Sequence, residues 1–254
     1  MKWDPAQYAR YSGERNRPFF ELTSRIDVES PRTVVDLGCG SGELTATLAE
    51  RWPAAVIRGI DSSAEMIEKA PPSRNVVFTV GAAQDFDATG TDVLISNALL
   101  QWVPDHTDLL LNWSRQLNPG GWLAFQVPAN FDAPSHRLMR ELADSPSWRE
   151  RLHGVLRGAD SVAEPATYLD LLIRQGLEVD AWQTEYLHVL QGRDPVLDWV
   201  RGTGLRPVLA ALNDADAATY CTEYAAALRA AYPPRPYGTV FRFTRTFVLA
   251  RKPG

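Results

Sequence analysis

The stretch Thr33 to Gly42, T-V-V-D-L-G-C-G-S-G, limits the fold of this chain more than any other. A short β-branched run ending in an acid and then a glycine cluster is the sequence form of a buried parallel strand, a tight turn and a helix opening at about Gly42. Gly38, Gly40 and Gly42 leave room for a ligand to lie on the backbone, because no Cβ obstructs it and positive φ costs nothing there. The amides of the following helix N-terminus would face that ligand with partial positive charge.

The spacing bears on the ligand. Dinucleotide loops read G-x-G-x-x-G, whereas here the third glycine comes one residue early, as G-x-G-x-G. Asp36, two residues before the first glycine, would repel a pyrophosphate but welcome an ammonium or sulfonium group. The loop therefore favours S-adenosylmethionine, a cation with an amino-acid tail. A purely structural turn is the competing reading.

Beyond the loop, Glu43 to Arg51 reads as a helix stopped by Trp52-Pro53, and Val56 to Ile60 as a strand closing on Asp61. Asp61 falls roughly 20 residues past the glycines, where a doubly wound sheet brings the end of its second strand beside a ribose. Ser62-Ser63-Ala64-Glu65 reads as a capping box. Met66 could pack on an adenine face, although core packing is the commoner fate of a helical methionine. Val76 to Val80 and Thr91 to Ser96 are further strands. The residues just past the latter, Asn97, Gln101 and Trp102, are candidate pocket residues because ligands lie outside the carboxyl ends of such strands. Asp105 to Gln116 is amphipathic, with Leu109, Leu110, Trp113 and Leu117 on one face, and Asn118-Pro119-Gly120-Gly121 turns into the strand Trp122 to Val127.

In the second half, polar helical sequence fills Pro128 to Asp160, and Glu164 to Gln175 is a helix ending at Gly176. Glu178 to Val189 alternates as a strand. Asp194 to Ala231 is helical, interrupted at Gly202-Thr203-Gly204 and Arg206-Pro207. Thr239 to Arg251 is the last strand, expected as an antiparallel edge.

A chain of 254 residues can bury one sizeable core, so a single domain with insertions is expected. The net charge of -5 and the absence of a basic stripe argue against a nucleic-acid partner. Cys39 and Cys221 are too few for a disulfide framework, and Cys39 in a tight loop is explained by its small side chain. Without a signal-like segment or a long apolar run, the expected setting is cytoplasmic, off the membrane.

V-V-D-L-G-C-G-S-G, G-I-D-S-S, the strand ending in S-N-A and the turn L-N-P-G-G, in that order, resemble the class I S-adenosylmethionine-dependent methyltransferases. D-P-A-Q-Y, R-N-R-P-F, L-Q-W-V-P-D-H, L-M-R-E, V-D-A-W-Q-T-E-Y and D-W-V-R-G-T-G-L-R-P, spread from end to end, are similar to the trans-aconitate methyltransferases. The resemblance implies an α/β fold with a doubly wound, mostly parallel seven-stranded Rossmann-like sheet. It further implies a helical N-terminal lid over 1–30, a cofactor-binding core over 31–127, and a helical substrate cap over 128–175 and 194–235. The implied activity is methyl esterification of a carboxylate of trans-aconitate, with S-adenosyl-L-methionine as donor and S-adenosyl-L-homocysteine as product.

Carried over by position, the cofactor residues are Asp36, Gly38 and Gly40 in the loop, Asp61 on the ribose, and the stretch around Ala82 and Asn97. Cys39, Ser62, Met66 and Ala83 complete the candidate set. Many relatives place an acid where Ala82 stands, so the adenine contact passes to Gln84 or Asp85 or is lost. A tricarboxylate acceptor calls for arginines, whose planar forks bind carboxylates bidentately. Candidates are Arg15, Arg17, Arg206, Arg242 and Arg245, with Gln101, Trp102 and Tyr237 beside them; solvated surface is the ordinary fate of such arginines. His106, His136, His153 and His188 lack metal-ligand spacing, no metal is expected, and no catalytic side chain beyond alignment is called for. Monomer is the default. A methyltransferase for another small acid, or a nicotinamide-binding module without methyl transfer, are the other classes.

Overall fold

This computed structural model describes residues 12–156, 158 and 161–254, with the side chains of Ser12 and Arg15 excepted. Residues 1–11 of the expected N-terminal lid and the Arg15 side chain lie outside the described residues. The first half runs through α1 (Ser12–Ser24), β1 (Thr33–Leu37), α2 (Glu43–Arg51), β2 (Val56–Asp61), the single turn α3 (Ala64–Ile67), β3 (Val76–Val80), β4 (Val93–Asn97), α4 (His106–Gln116) and β5 (Trp122–Pro128). The second half adds α5 (Pro134–Ala143), α6 (Arg149–Leu152), α7 (Pro165–Ile173), β6 (Glu178–Leu190), α8 (Pro195–Arg201), α9 (Arg206–Ala211), α10 (Asp214–Ala231) and β7 (Thr239–Arg251).

The seven strands form one sheet in the order β3-β2-β1-β4-β5-β7-β6. Strands β1 to β5 pair in parallel and β7 runs antiparallel to β5. The order reverses between β1 and β4, and the crevice at that switch is where a doubly wound sheet takes its ligand. The expected doubly wound architecture is therefore present, with one correction. β7 is antiparallel but interior, and β6 takes the edge. Residues 245–250 of β7 are buried without alternation, whereas β6 alternates, as a strand with one solvated face must.

The chain forms two compact units. The sheet unit comprises Asn16–Pro128, Ser161–Thr184 and Arg245–Gly254, and the helical unit is built mainly from Ala129–Asp160 and Glu185–Thr244. In the sheet unit, one core cluster gathers Val35, Leu37, Leu94, Leu123, Phe125 and Val127 from alternate strand positions with Trp113 of α4 and Tyr168 and Leu172 of α7. Thus α7, expected in the substrate cap, packs on the sheet instead. Its Tyr168 hydroxyl accepts from the Ala163 amide at 3.0 Å and bonds His106 Nε2 at 2.7 Å.

The second half of α1 is also part of this unit rather than a loose cover. Phe19 and Leu22 are fully buried, and Glu21 accepts from Thr184 Oγ1 at 2.7 Å. Arg51 of α2 donates to the carbonyls of Thr23 and Ile26. Arg25 lies 4.0 Å over the Trp182 ring.

The helical unit has its own core, including Trp148, Trp199, Tyr220, Tyr224, Phe241 and Phe243. Buried phenols here are satisfied: Tyr220 donates to Met139 O at 2.8 Å and Tyr224 to Ser135 O at 2.6 Å. Arg206-Pro207 opens α9 rather than interrupting a helix, since proline is tolerated in a first turn. The additional break falls at Leu212-Asn213, where Asn213 caps α10 by accepting from the Asp216 amide at 2.9 Å. No helix among the described residues is long and apolar enough to cross a membrane.

Candidate active site

β1 delivers the glycine loop to the carboxyl edge of the sheet. The amides of Gly38 and Cys39 donate to the Ile60 carbonyl of β2 at 2.7 and 3.1 Å, which folds the turn back over the neighbouring strand. The three glycines differ in what requires them. A Cβ on Gly42 would run into the Phe78 ring, and one on Gly38 would stand 2.8 Å from Leu99 Cβ. A Cβ on Gly40, at φ +56°, would meet no atom of the described residues within 4 Å. Packing therefore accounts for Gly38 and Gly42, whereas the space above Gly40 is open for something else to fill.

That distinction gives a test. Gly40→Ala should cost about 1–2 kcal/mol of stability through its left-handed backbone, yet weaken S-adenosylhomocysteine binding at least about tenfold by placing a methyl in the cradle. Thermal unfolding and calorimetric titration of the variant would separate the two effects. Unchanged affinity would show that the space over Gly40 is not the cradle.

Two carboxylates flank the loop. Asp61, at the end of β2, accepts from the Gly40 amide with Oδ2 and from the Ser63 amide with Oδ1, each at 2.9 Å. A carboxylate offers about four lone-pair sites, so two remain for a pair of sugar hydroxyls. Asp36 is 2% exposed and accepts from Thr45 Oγ1 of α2 at 2.6 Å, while its Oδ1 is buried with no hydrogen-bond partner among the described residues. Burial pushes the Asp36 carboxyl up to about 6, opposed by the Thr45 hydrogen bond and reinforced by the charge of Asp61. An orphaned buried carboxylate oxygen beside an open glycine cradle fits a ligand bearing an ammonium and a sulfonium. Cys39 is half-buried, and burial with the two acids drives its thiol well above the usual range, so it stays protonated and is no nucleophile.

The remaining cofactor candidates are placed as follows. Ser63, not Ser62, caps α3 by accepting from the Met66 amide at 3.3 Å, and Glu65 pairs with Lys69 at 2.8 Å instead of closing a capping box. Ser62 is exposed and Met66 half-buried; α3 is too short to bury any residue. Ala82 is extended and half-buried at the end of β3, while Ala83 is 7% exposed and belongs to the core cluster. Gln84 and Asp85 are exposed beside them.

Beyond the switch point, Asn97 ends β4 and Ala98 follows in the left-handed region at φ +57°. Such a conformation costs a residue with a Cβ about 1–3 kcal/mol and persists only where its surroundings impose it. Here the Ala98 amide donates to the Gln126 carbonyl at 3.0 Å, and its carbonyl accepts from Gln101 Nε2 at 2.6 Å. Gln101 is buried and braces this turn; Trp102 is 44% exposed.

Asn97 also begins a side-chain chain that sequence reading missed. Gln126 Nε2 of β5 donates to Asn97 Oδ1 at 2.7 Å, and Arg245 Nη1 of β7 donates to Gln126 Oε1 at 2.9 Å. Arg245 is 8% exposed. Strand register sets Asp36, Asn97, Gln126 and Arg245 on one face, since Asp36 pairs with Ile95, Asn97 with Gln126, and Arg245 with Pro128.

The other arginine candidates are more exposed. Arg17 is exposed in the first half of α1. Within the helical unit, Arg206 is the exposed first residue of α9, and Arg242 is 70% exposed and ion-paired with Glu185 at 3.1 Å. The Tyr237 hydroxyl accepts from Arg235 at 3.3 Å, and the residue is 55% exposed.

Comparison with known proteins places this geometry in a family. The family model described as a methyltransferase domain matches residues 8–181. The trans-aconitate 2-methyltransferase of Streptomyces avermitilis is 51% identical over 98% of this chain and 97% of its own length. The chain belongs to the trans-aconitate methyltransferase family. Other relatives of the same name include those of Streptomyces coelicolor, 54% identical over 99% of this chain and 87% of its own, and Mycobacterium tuberculosis, 46% identical over 99% and 97%. Among solved structures, the YcgJ protein of Bacillus subtilis superposes with a TM-score of 0.59 at 14% identity, covering 93% of this chain and 97% of its own. The Haemonchus contortus phosphoethanolamine N-methyltransferase 2, solved with S-adenosyl-L-methionine, gives 0.56 at 15% identity over 98% of this chain and 56% of its own. Members of this family are S-adenosylmethionine-dependent methyltransferases, and the open space over Gly40, the orphan oxygen of Asp36 and the Asp61 carboxylate suit that cofactor.

Proposed function

We propose that this chain transfers a methyl group to a carboxylate oxygen of trans-aconitate, giving a monomethyl ester and S-adenosylhomocysteine. Near full-length identity of about half to relatives of that name carries the reading. The site chemistry supports it. S-adenosylmethionine, when bound, supplies a methyl group made electrophilic by its sulfonium sulfur. Asp36 would give the amino-acid tail a counter-charge, and Asp61 would hold the sugar while its existing bonds fix the loop.

An acceptor carboxylate with a pKa near 4 is already ionised at neutral pH, so no general base is needed. The chain's own titratable groups agree with that economy. His106 is bonded to Val103 O and Tyr168, and burial lowers its pKa, leaving a neutral structural imidazole. What remains for the protein is to hold two reactants in line, which can supply on the order of 7–11 kcal/mol of the barrier.

Incubating the protein with trans-aconitate and a methyl-labelled donor should place label in an ester that alkali releases. If trans-aconitate stays unlabelled while another small carboxylic acid is esterified, the acceptor is that acid; if no acid is esterified, the reading fails.

A further inference from the structure

We infer that Arg201, the last residue of α8, is the guanidinium that receives a carboxylate of the acceptor. The inference rests on the proposed esterification and deepens it by naming the side chain that takes the anion. Its first ground is a comparison within the chain. Among the described arginines, Arg140, Arg201 and Arg245 are the three that are not exposed. Arg140 donates to the Phe131 carbonyl and Arg245 to Gln126 Oε1. The Arg201 guanidinium has neither a hydrogen bond nor an ion pair among the described residues, and its Nε is buried without an acceptor. Burying a charged donor with nothing to accept from it is costly. Attraction to the helix dipole, the ordinary reason for an arginine in a last turn, is met by an exposed side chain and does not call for a buried Nε.

The second ground is how firmly the backbone beneath that side chain is held. α8 buries Val196, Leu197, Trp199 and Val200, and the Trp199 ring stacks on His188 at 4.8 Å. The Val200 carbonyl accepts from the amides of Thr203 and Leu205 at 2.9 and 3.0 Å, which closes the turn Gly202-Thr203-Gly204 without drawing on the Arg201 side chain. Leu205, fully buried, pins the far side of the turn. The backbone of Arg201 is thus fixed before any ligand arrives, so less order has to be imposed when an anion binds. A planar guanidinium matches a carboxylate bidentately, as no other cationic side chain does. Arg206, the other arginine of D-W-V-R-G-T-G-L-R-P, is exposed and holds no buried orphan.

Two variants test it. Arg201→Met removes the charge and keeps the length, and Arg201→Lys keeps the charge but loses the fork. Because the guanidinium has no acceptor within the described chain, Arg201→Met should melt no lower than wild type. Its KM for trans-aconitate should nonetheless rise about 10- to 100-fold, the loss expected of a charge-assisted contact. Its kcat should change less than about threefold, and its S-adenosylhomocysteine affinity should stay within about twofold of wild type. Arg201→Lys should fall between the two. Calorimetric titration of trans-aconitate into the S-adenosylhomocysteine-saturated protein should weaken in step with KM. If both variants keep the wild-type KM, or if KM rises only together with a lower melting temperature and weaker cofactor binding, Arg201 serves the fold and the inference is overturned. A wild-type protein that esterifies no acid overturns the acceptor reading, and the inference with it, a result read before any variant is made.

Discussion

Asp36→Asn should make the cofactor-free protein more stable and at the same time a poorer binder. Asp36 is almost fully buried, one oxygen held by Thr45 and the other orphaned, with its carboxyl pushed up to about 6 by desolvation. A folded-state pKa raised above 3.8 means that the folded chain prefers the neutral acid. Its stability is undiminished below the unfolded value and is lost as pH rises through about 6. A shift of about 2 units corresponds to about 3 kcal/mol. Asparagine keeps an oxygen for the Thr45 hydroxyl and removes the charge, so the variant should gain up to that amount above pH 6. The gain should shrink between pH 6 and 4. In a chain of this length that is roughly 6–12 °C in melting temperature.

Binding should move the other way. Without the counter-charge, affinity for S-adenosylmethionine and S-adenosylhomocysteine should fall at least about tenfold, the loss expected of a charge-assisted contact. Thermal unfolding from pH 4 to 8, with calorimetric titration at pH 7.5, reads both effects. A variant no more stable than wild type would contradict the burial argument, and one that binds as well would remove Asp36 from the site. The pattern is a stability cost kept for function.

Asp61→Ala carries the largest expected loss of affinity. Its two oxygens each accept a backbone amide at 2.9 Å, from Gly40 and Ser63, so the side chain shapes the cradle as well as facing the sugar. Hydrogen bonds to charged groups contribute about 1.5–3 kcal/mol each, so losing the two that its remaining lone pairs would offer the sugar hydroxyls should weaken S-adenosylhomocysteine binding about 100-fold or more. Asp61→Asn, which can still accept one amide bond, should lose about tenfold. Affinity within threefold of wild type for Asp61→Ala would take the acid out of the cofactor site.

The position of these two acids was legible in the sequence because each lies in the carboxyl-terminal part of a strand whose register is fixed by its own hydrophobic run. Asp36 follows V-V within β1 and Asp61 follows R-G-I within β2, so the loop and the acid arrive at one edge without any long-range information. Strand order is different. Nothing local says that β7 slips between β5 and β6, although the unbroken apolar run Phe247 to Ala250 is the signature of an interior strand. The placement of α7 on the sheet depends on Tyr168 reaching His106, a contact 62 positions apart.

Arg245 was hard to single out for a further reason. Only three of the chain's 26 basic residues are lysines, so arginine is everywhere and its mere presence says little. What distinguishes this one is burial and the brace from Gln126, both properties of three packed strands rather than of any stretch. The same holds for Gln101, read as a pocket residue but folded back on the strained Ala98 carbonyl. Its role follows from a left-handed alanine, which no composition rule anticipates.

The most direct test of the central claim is calorimetric titration of the wild-type protein with S-adenosylhomocysteine and, separately, with NAD. The account predicts saturable one-site binding of S-adenosylhomocysteine, tightening as pH rises through 6, and no binding of NAD. Binding of NAD without S-adenosylhomocysteine would contradict it.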